Sequence, residues 1–433
     1  MTDADVMVIG AGVAGLAAAA CLTEAGRRVT VIEARNRIGG RVHTIRPPEN
    51  GRPIELGAEF VHGGSNALWP LLRHARLPTE PVVERHAGLR GGRPISFPDV
   101  RATLADLLGH GAAVRPDRPF GEILEERRAA GDDPDALDAA AGYVEGFHAA
   151  DVRRIGTLAL AQNEAAENED GDEAFRLPRG YDGVPEGLLG RCPPTLLDLR
   201  LSTALLSLRW RPGGVAATVR PPDARPIEVK APRVVITVPL GVLKAFKEVG
   251  GIAIDPDPPC WREALAALEM GSAHRLVLRF ERAWWNRPGE PPVSFVHGPG
   301  SAFPVWWASP PGQEPLLTGW GGGPRAEAVA GSPHAVVVEA GLDSLRAAFG
   351  ASALGEAGRL LGAYHHDWIA DRYARGVYSY GGVGAIKARE ILAEPVADTL
   401  FLGGEALADG GRNATVHGAL LSGTRAAERL LGG

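Results

Sequence analysis

The run Gly10-Ala11-Gly12-Val13-Ala14-Gly15, directly behind an apolar strand and directly before an alanine-rich helix, constrains the fold of this chain more than any other feature. Val6-Met7-Val8-Ile9 reads as a strand, Leu16 to Leu22 as a helix that Gly26 ends, and Arg28-Val29-Thr30-Val31-Ile32 as a second strand. That order is βαβ and predicts a parallel sheet. Within G-x-G-x-x-G, Gly10 allows the tight turn, Gly12 lets the backbone approach a pyrophosphate, and Gly15 lets helix and strand pack closely. The first helical turn, which includes Ala14, presents unpaired N–H groups and a positive dipole end to the phosphates. Glu33 closes the second strand, where an acidic side chain accepts hydrogen bonds from a ribose diol and disfavours a 2′-phosphate. The pattern calls for FAD or NAD in preference to NADP.

At 433 residues the chain is too long for one compact core and suits two domains. Its formal balance, 46 − 52 = −6, suggests neither a nucleic-acid groove nor an anionic membrane surface. Cys21, Cys192 and Cys260 lie far apart, with no CxxC pair and no histidine at ligand spacing, so neither a metal site nor a disulfide framework is expected. No apolar stretch of roughly 20 residues offers a membrane span. The opening Met-Thr-Asp-Ala-Asp runs straight into a strand, so the expectation is a cytoplasmic protein.

Helical stretches are predicted near 101–109, 119–130 and 134–150. A hairpin-like region follows at 201–210, 214–220 and 227–238, then a strand at 276–280, a helix near 335–349 and a last helix from about 415. The acidic run Glu164, Glu167, Glu169, Asp170, Asp172 and Glu173 reads as a solvated loop, with attraction of a polyamine to a cleft mouth as the second reading.

Past Glu33 the chain continues Ala34-Arg35-Asn36-Arg37-Ile38-Gly39-Gly40-Arg41, which resembles the E-A-R-x-R-x-G-G-R segment of the flavin-containing amine oxidases. Arg41 offers a planar fork suited to a second phosphate. Gly57-Ala58-Glu59-Phe60-Val61-His62-Gly63 is similar to the stretch that runs beside the flavin in that family, and Leu205 takes the place of a strand residue whose backbone meets the adenine. Residues 237–244 (T-V-P-L-G-V-L-K) resemble a signature of the polyamine oxidase and histone demethylase branch. Trp368 with Arg375-Gly376-Val377-Tyr378-Ser379-Tyr380, and Gly403-Gly404-Glu405 with Ala414-Thr415-Val416-His417-Gly418-Ala419, resemble two further elements.

The resemblance implies an α/β architecture: a Rossmann-like FAD-binding domain from residues 1–78, 196–274 and 386–433, with an α+β substrate domain inserted as 79–195 and 275–385. It implies oxidation of an amine's C–N bond to an imine by hydride transfer to flavin N5, with oxygen as acceptor giving hydrogen peroxide. A small amine and oxygen are then the partners, and a homodimer is left open. Trp368 is expected at the flavin edge, and Tyr378 on an aromatic wall with Thr415 opposite. His62 falls where the family varies with substrate, so it is read either as a pocket residue or as a structural histidine. Thr415 before an apolar run is also a good helix cap, which aims the dipole of the last helix at the flavin.

Two departures stand out. Val377 occupies the place of the cysteine that attaches FAD in monoamine oxidases, so FAD is expected to be non-covalent. Arg275, counted from Gly271 and from Trp285, replaces the family lysine that holds a water on flavin N5. Arginine is bulkier and stays protonated, which brings oxygen reactivity into question and makes a substrate carboxylate an alternative partner. Trp306, Trp307 and Trp320 line or support the substrate domain. The rival readings are a flavin-dependent C–C desaturase or porphyrinogen-type oxidase, and a non-enzymatic binding protein on the same fold.

Overall fold

A computed structural model describes residues 4–49, 51–64, 66–96, 98–109, 116–171, 173–246, 251–286, 294–298, 300–310, 312–356 and 359–432. Val6–Ile9 is the middle strand of a five-stranded parallel sheet. Val29–Ile32 and then Leu197–Arg200 lie on one side, with Arg233–Ile236 and then Leu400–Leu402 on the other. Both faces are covered, so the first two strands in sequence are buried at every residue, which is why they are apolar without alternation.

The helix Val13–Glu24 follows the glycine turn and is buried almost throughout, because it lies between that sheet and the last helix, Val416–Gly432. The two helices approach so closely that a Cβ on Gly423 would sit 2.0 Å from the Ala14 carbonyl oxygen. Gly15 serves the same end on the other side: a Cβ there would meet the Gly10 oxygen at 1.9 Å.

Ala204–Arg211, Gly214–Arg220 and Ile227–Ala231 form an antiparallel meander, with Ala253–Asp255 added in parallel to its first strand. The expectation of one strand-like piece over 227–238 is corrected here. The chain leaves the meander at Ala231, and Arg233–Ile236 enters the parallel sheet. Pro232 between them has no N–H with which to continue a ladder.

A seven-stranded sheet carries the other half of the molecule. Ala273–Phe280 lies between Leu360–His365 and Leu316–Gly322, and Val305–Ala308, Phe295–His297, His86–Arg90 and Arg93–Ile95 continue the order. The expected domain boundary between 274 and 275 therefore runs through a single strand.

Three helices match the stretches read from sequence: Val100–Leu107, Phe120–Ala129 and Pro134–Phe147. Asp99 and Asp133 cap two of them, accepting from Ala102 N at 3.0 Å and Asp135 N at 3.1 Å. The acidic run is not a solvated loop. Thr157–Asp170 is a helix whose carboxylates find partners, with Glu164 on His148 at 3.0 Å and Asp170 on Arg412 at 2.9 Å. Asp172 lies outside the described residues.

The two helical glycines Gly423 and Gly142 make a matched test of this packing. Gly423→Ala forces the last helix off the first and is expected to cost about 1–3 kcal/mol. Gly142→Ala, where a Cβ meets nothing within 4 Å, should stabilise by roughly 0.5–1 kcal/mol through lost chain entropy. Denaturant unfolding of the two variants measures both signs.

Candidate active site

One cavity of about 1,890 Å³ runs between the parallel sheet and the seven-stranded sheet. This volume exceeds the roughly 300–1,000 Å³ of a pocket for one small ligand, leaving room for a dinucleotide and a second molecule. Its inner end is the glycine turn. Gly10 holds φ +100°, and a Cβ on Gly12 would meet nothing within 4 Å, so that backbone faces open space. Glu33 is buried, and its two carboxylate oxygens accept from Ala11 N and Arg35 N, each at 2.8 Å. Arg35 is in turn paired with Asp371 at 2.8 Å and lies over the Trp368 ring.

Every residue named from sequence for the cofactor or the chemistry lines this cavity except Gly15. Gly15 packs instead against the strand-to-helix turn, so its part is structural. Ala34, Gly40, residues 57–60 and Leu205 surround the cradle, and Gly404 lies open to the cavity at φ +136°.

Glu405 is buried and gathers donors from distant segments. Its carboxylate accepts from Arg41 Nη1 at 2.8 Å, Ser379 Oγ at 2.7 Å and Ala414 N at 2.9 Å. Burial pushes this carboxyl up, but the Arg41 charge and these hydrogen bonds hold it below the ordinary carboxylate range. Arg41 Nη1 also donates to the Val377 carbonyl at 2.9 Å, so this nitrogen of the fork expected for a phosphate is engaged within the protein.

Thr415 caps the last helix as anticipated, accepting from Gly418 N at 2.9 Å and donating to Arg412 O at 2.7 Å. Val416, the first helical residue, lines the cavity beside it.

The outer part of the cavity is aromatic. Tyr378 and Trp320 stand parallel, with centroids 6.3 Å apart and planes 6° from coplanar. Tyr378 donates its hydroxyl proton to the Phe147 carbonyl at 2.6 Å, and Trp320 Nε1 donates to the Gly146 carbonyl at 2.8 Å. Both acceptors end the helix Pro134–Phe147, where carbonyls have no helical partner. Burial, with Glu405 adding to it, pushes the Tyr378 phenol well above its ordinary range. His62 opens into the cavity while enclosed by protein, edge-on to Phe147 at 6.3 Å. That enclosure holds it below the usual imidazole value against the opposing pull of Glu84.

Of the three tryptophans left undecided by sequence, Trp307 and Trp320 line the cavity. Trp306 is fully buried, pressed on Gly319. Arg275 also lines the cavity, and its Nη2 is ion-paired with Glu59. Sequence reasoning missed Gly146, Phe147, Asn163 and Asn413. Asn163 Nδ2 donates to Asn413 Oδ1 at 2.9 Å, and Asn413 Nδ2 donates to Ser379 O at 3.0 Å, pinning the loop before the last helix. Adjacency to the Ala414-Thr415 motif was the one signal for Asn413.

The profile of the family described as "Flavin containing amine oxidoreductase" matches residues 13–431. The chain is 28% identical to "Probable polyamine oxidase 4" of Arabidopsis thaliana, over 98% of this chain and 86% of that protein. It is 29% identical to "Polyamine oxidase 1" of Oryza sativa subsp. japonica, over 98% and 96%. Among solved structures it is similar to wild-type putrescine oxidase bound to putrescine, with a TM-score of 0.82 at 22% identity over 100% of both chains. Cyclohexylamine oxidase from Brevibacterium oxydans gives a TM-score of 0.80 at 20% identity over 99% of each. The fold is thus the two-domain α/β architecture of these oxidases. The chain belongs to the flavin-containing amine oxidoreductases and is an FAD-dependent amine oxidoreductase. Among the described residues no helix is long and apolar enough to cross a membrane, and no cluster of three or more His, Cys, Asp or Glu could hold a metal.

Burial keeps His43, His297, His365 and His417 uncharged at neutral pH, each with a pKa of about 4. An unfolded histidine titrates near 6.5, so between those values the unfolded chain binds more protons than the folded one. The stability these four contribute is full above about pH 6.5 and is lost as pH falls towards 4. Glu55, raised by burial to about 7, and Glu145, also raised by burial, oppose these four. Melting temperature is therefore expected to fall from pH 6.5 to 4.5 with net proton uptake on unfolding, read by calorimetry in buffers of different ionisation enthalpy. A rise would contradict these assignments.

Proposed function

We propose that this protein oxidises the C–N bond of a small amine to an imine, which water hydrolyses to a carbonyl, using FAD held without a covalent bond. The observation that carries the reading is a single cavity joining a glycine-lined cradle to parallel aromatic rings. The residues present fit the cofactor. Gly12 and Gly404 leave backbone facing open space, Glu33 ends the second strand beside the cradle, and two helices begin at the wall. Gly10, Gly12 and Ala14 would hold the phosphates, Glu33 the ribose and Leu205 the adenine, with Trp368 at the ring edge. When bound, FAD supplies at N5 the acceptor for the hydride leaving the carbon beside nitrogen.

The chain's own part is positioning and desolvation. With their polar tips tied to helix carbonyls, Tyr378 and Trp320 present ring faces to the substrate and exclude water from it. A neutral His62 can accept an amine N–H without adding positive charge. Thr415, its hydroxyl spent on the cap, contributes its methyl group to the wall and keeps the positive end of the last helix facing the cavity, where it favours negative charge. None of the three cysteines lines the cavity, which supports non-covalent FAD.

In this reading oxygen is the acceptor, giving peroxide, with Arg275 in the family's lysine position. The FAD-binding part comprises 1–78, 196–272 and 386–433, its second segment ending before the strand Ala273–Phe280, and the rest binds substrate.

The purified protein should be yellow and release its flavin on denaturation, and Gly12→Val should lower its flavin content. Anaerobic mixing with an amine should bleach the flavin, and Tyr378→Ala should slow that bleaching by about 10–100-fold through lost alignment. If no amine bleaches the yellow protein, the proposal fails.

A further inference from the structure

Resting on the amine-oxidation reading, we infer that the cavity accepts amines that carry no carboxylate on the reacting carbon, because Glu59 already occupies the guanidinium such a carboxylate would need. Recognition of a carboxylate by arginine is strong when two N–H groups in one plane meet its two oxygens. Arg275 has no such pair to offer. Its Nη2 is ion-paired with Glu59, its Nη1 donates to Gly57 O at 3.2 Å, and its Nε is buried from solvent. The guanidinium also lies 5.3 Å from the centroid of the Trp307 ring, and the side chain is only 7% exposed.

Glu59 is equally committed. It accepts from Arg176 Nε at 2.9 Å and Trp307 Nε1 at 3.0 Å besides Arg275. Burial pushes its carboxyl up, but Arg275 and Arg176 outweigh that and hold it at about 2. It is therefore charged at any working pH. A substrate carboxylate reaching Arg275 would have to displace Glu59 from it, leaving Glu59 with Arg176 and Trp307 alone, and breaking a buried ion pair is unfavourable.

Other cations on the wall are matched as well. Arg35 is paired with Asp371 at 2.8 Å, Arg41 with Glu405 at 2.8 Å, Arg412 with Asp170 at 2.9 Å, Arg101 with Glu167 at 3.5 Å and Arg325 with Glu145 at 4.0 Å. Arg90 and Arg372, which also line the cavity, are exposed to solvent. A carboxylate beside the reacting carbon would thus lose its water without gaining a buried guanidinium that lacks a carboxylate partner.

The test uses matched pairs that have one amine each and differ only by the carboxylate on its carbon: phenethylamine against phenylalanine, and 3-methylbutylamine against leucine. Anaerobic bleaching of the flavin by the better amine is expected to be at least about 100-fold faster than by its amino acid. Bleaching by either amino acid within about tenfold of its amine overturns the inference while leaving amine oxidation intact. Glu59→Gln supplies a second arm. It keeps an acceptor oxygen but removes the charge, so Arg275 becomes available. Binding of phenylacetate, followed by equilibrium dialysis and by perturbation of the flavin spectrum, should tighten at least about tenfold. In the double variant Glu59→Gln/Arg275→Met, which removes both charges of the pair, the gain should vanish. Equal phenylacetate affinity in wild type and Glu59→Gln overturns the inference. Should no amine bleach the flavin, the proposed function fails, and dialysis still decides whether Glu59 blocks a carboxylate.

Discussion

A buried carboxylate stays ionised only where donors replace the water it has lost, and Glu405 meets that condition with groups from three other segments. Arg41 comes from the loop after the second strand, Ser379 from the aromatic element, and Ala414 from the turn into the last helix. Those segments also form the cradle wall, the substrate wall and the helix end of the cavity. Glu405 is therefore the joint at which the parallel-sheet half of the molecule meets the half that carries Tyr378. Without its charge, Arg41 would lose a partner beside the place proposed for the phosphates, and the Ala414 turn, at φ +66°, would lose the acceptor for its N–H.

A second joint stands at Glu59. There one carboxylate ties Ala273–Phe280 and Val305–Ala308 of the seven-stranded sheet to Ala174–Arg176 of a smaller sheet, through Arg275, Trp307 and Arg176. Phe60, next in sequence, lies against both the Arg176 guanidinium and the Trp307 ring. Two neighbouring residues thus orient an aromatic ring and a cation. That explains why Arg275, although it lines the cavity, is not the free cation that its position in the sequence suggested.

The cradle was legible in the sequence because it is local. Strand, turn, helix and acid fall within the first 33 residues, and each residue type has a reason that needs no distant partner. The first turn of the last helix was legible for the same reason, since Thr415 caps through Gly418 a few residues on. The aromatic wall was only half legible. Tyr378 could be named, but the Phe147 carbonyl that holds it is 231 residues away, and the Gly146 carbonyl that holds Trp320 is 174 away. A carbonyl has no residue type, so no motif announces it. The acidic run failed as a loop for a related reason: composition makes it polar, while Arg412, 242 residues from Asp170, decides that one of its charges is paired.

Several helix ends meet at the cavity, and three of them set the polarity of its inner part and of its aromatic wall. Val13–Glu24 and Val416–Gly432 begin there, so their unpaired N–H groups and positive dipole ends face the inner part. Pro134–Phe147 ends there, and its last carbonyls and negative dipole end face the outer part. Negative charge is favoured at the first and positive charge at the second, before any charged side chain is counted. In the proposed function this polarity would orient the substrate: an amine nitrogen drawn towards the end of Pro134–Phe147 would leave its carbon directed inward, towards the glycine turn.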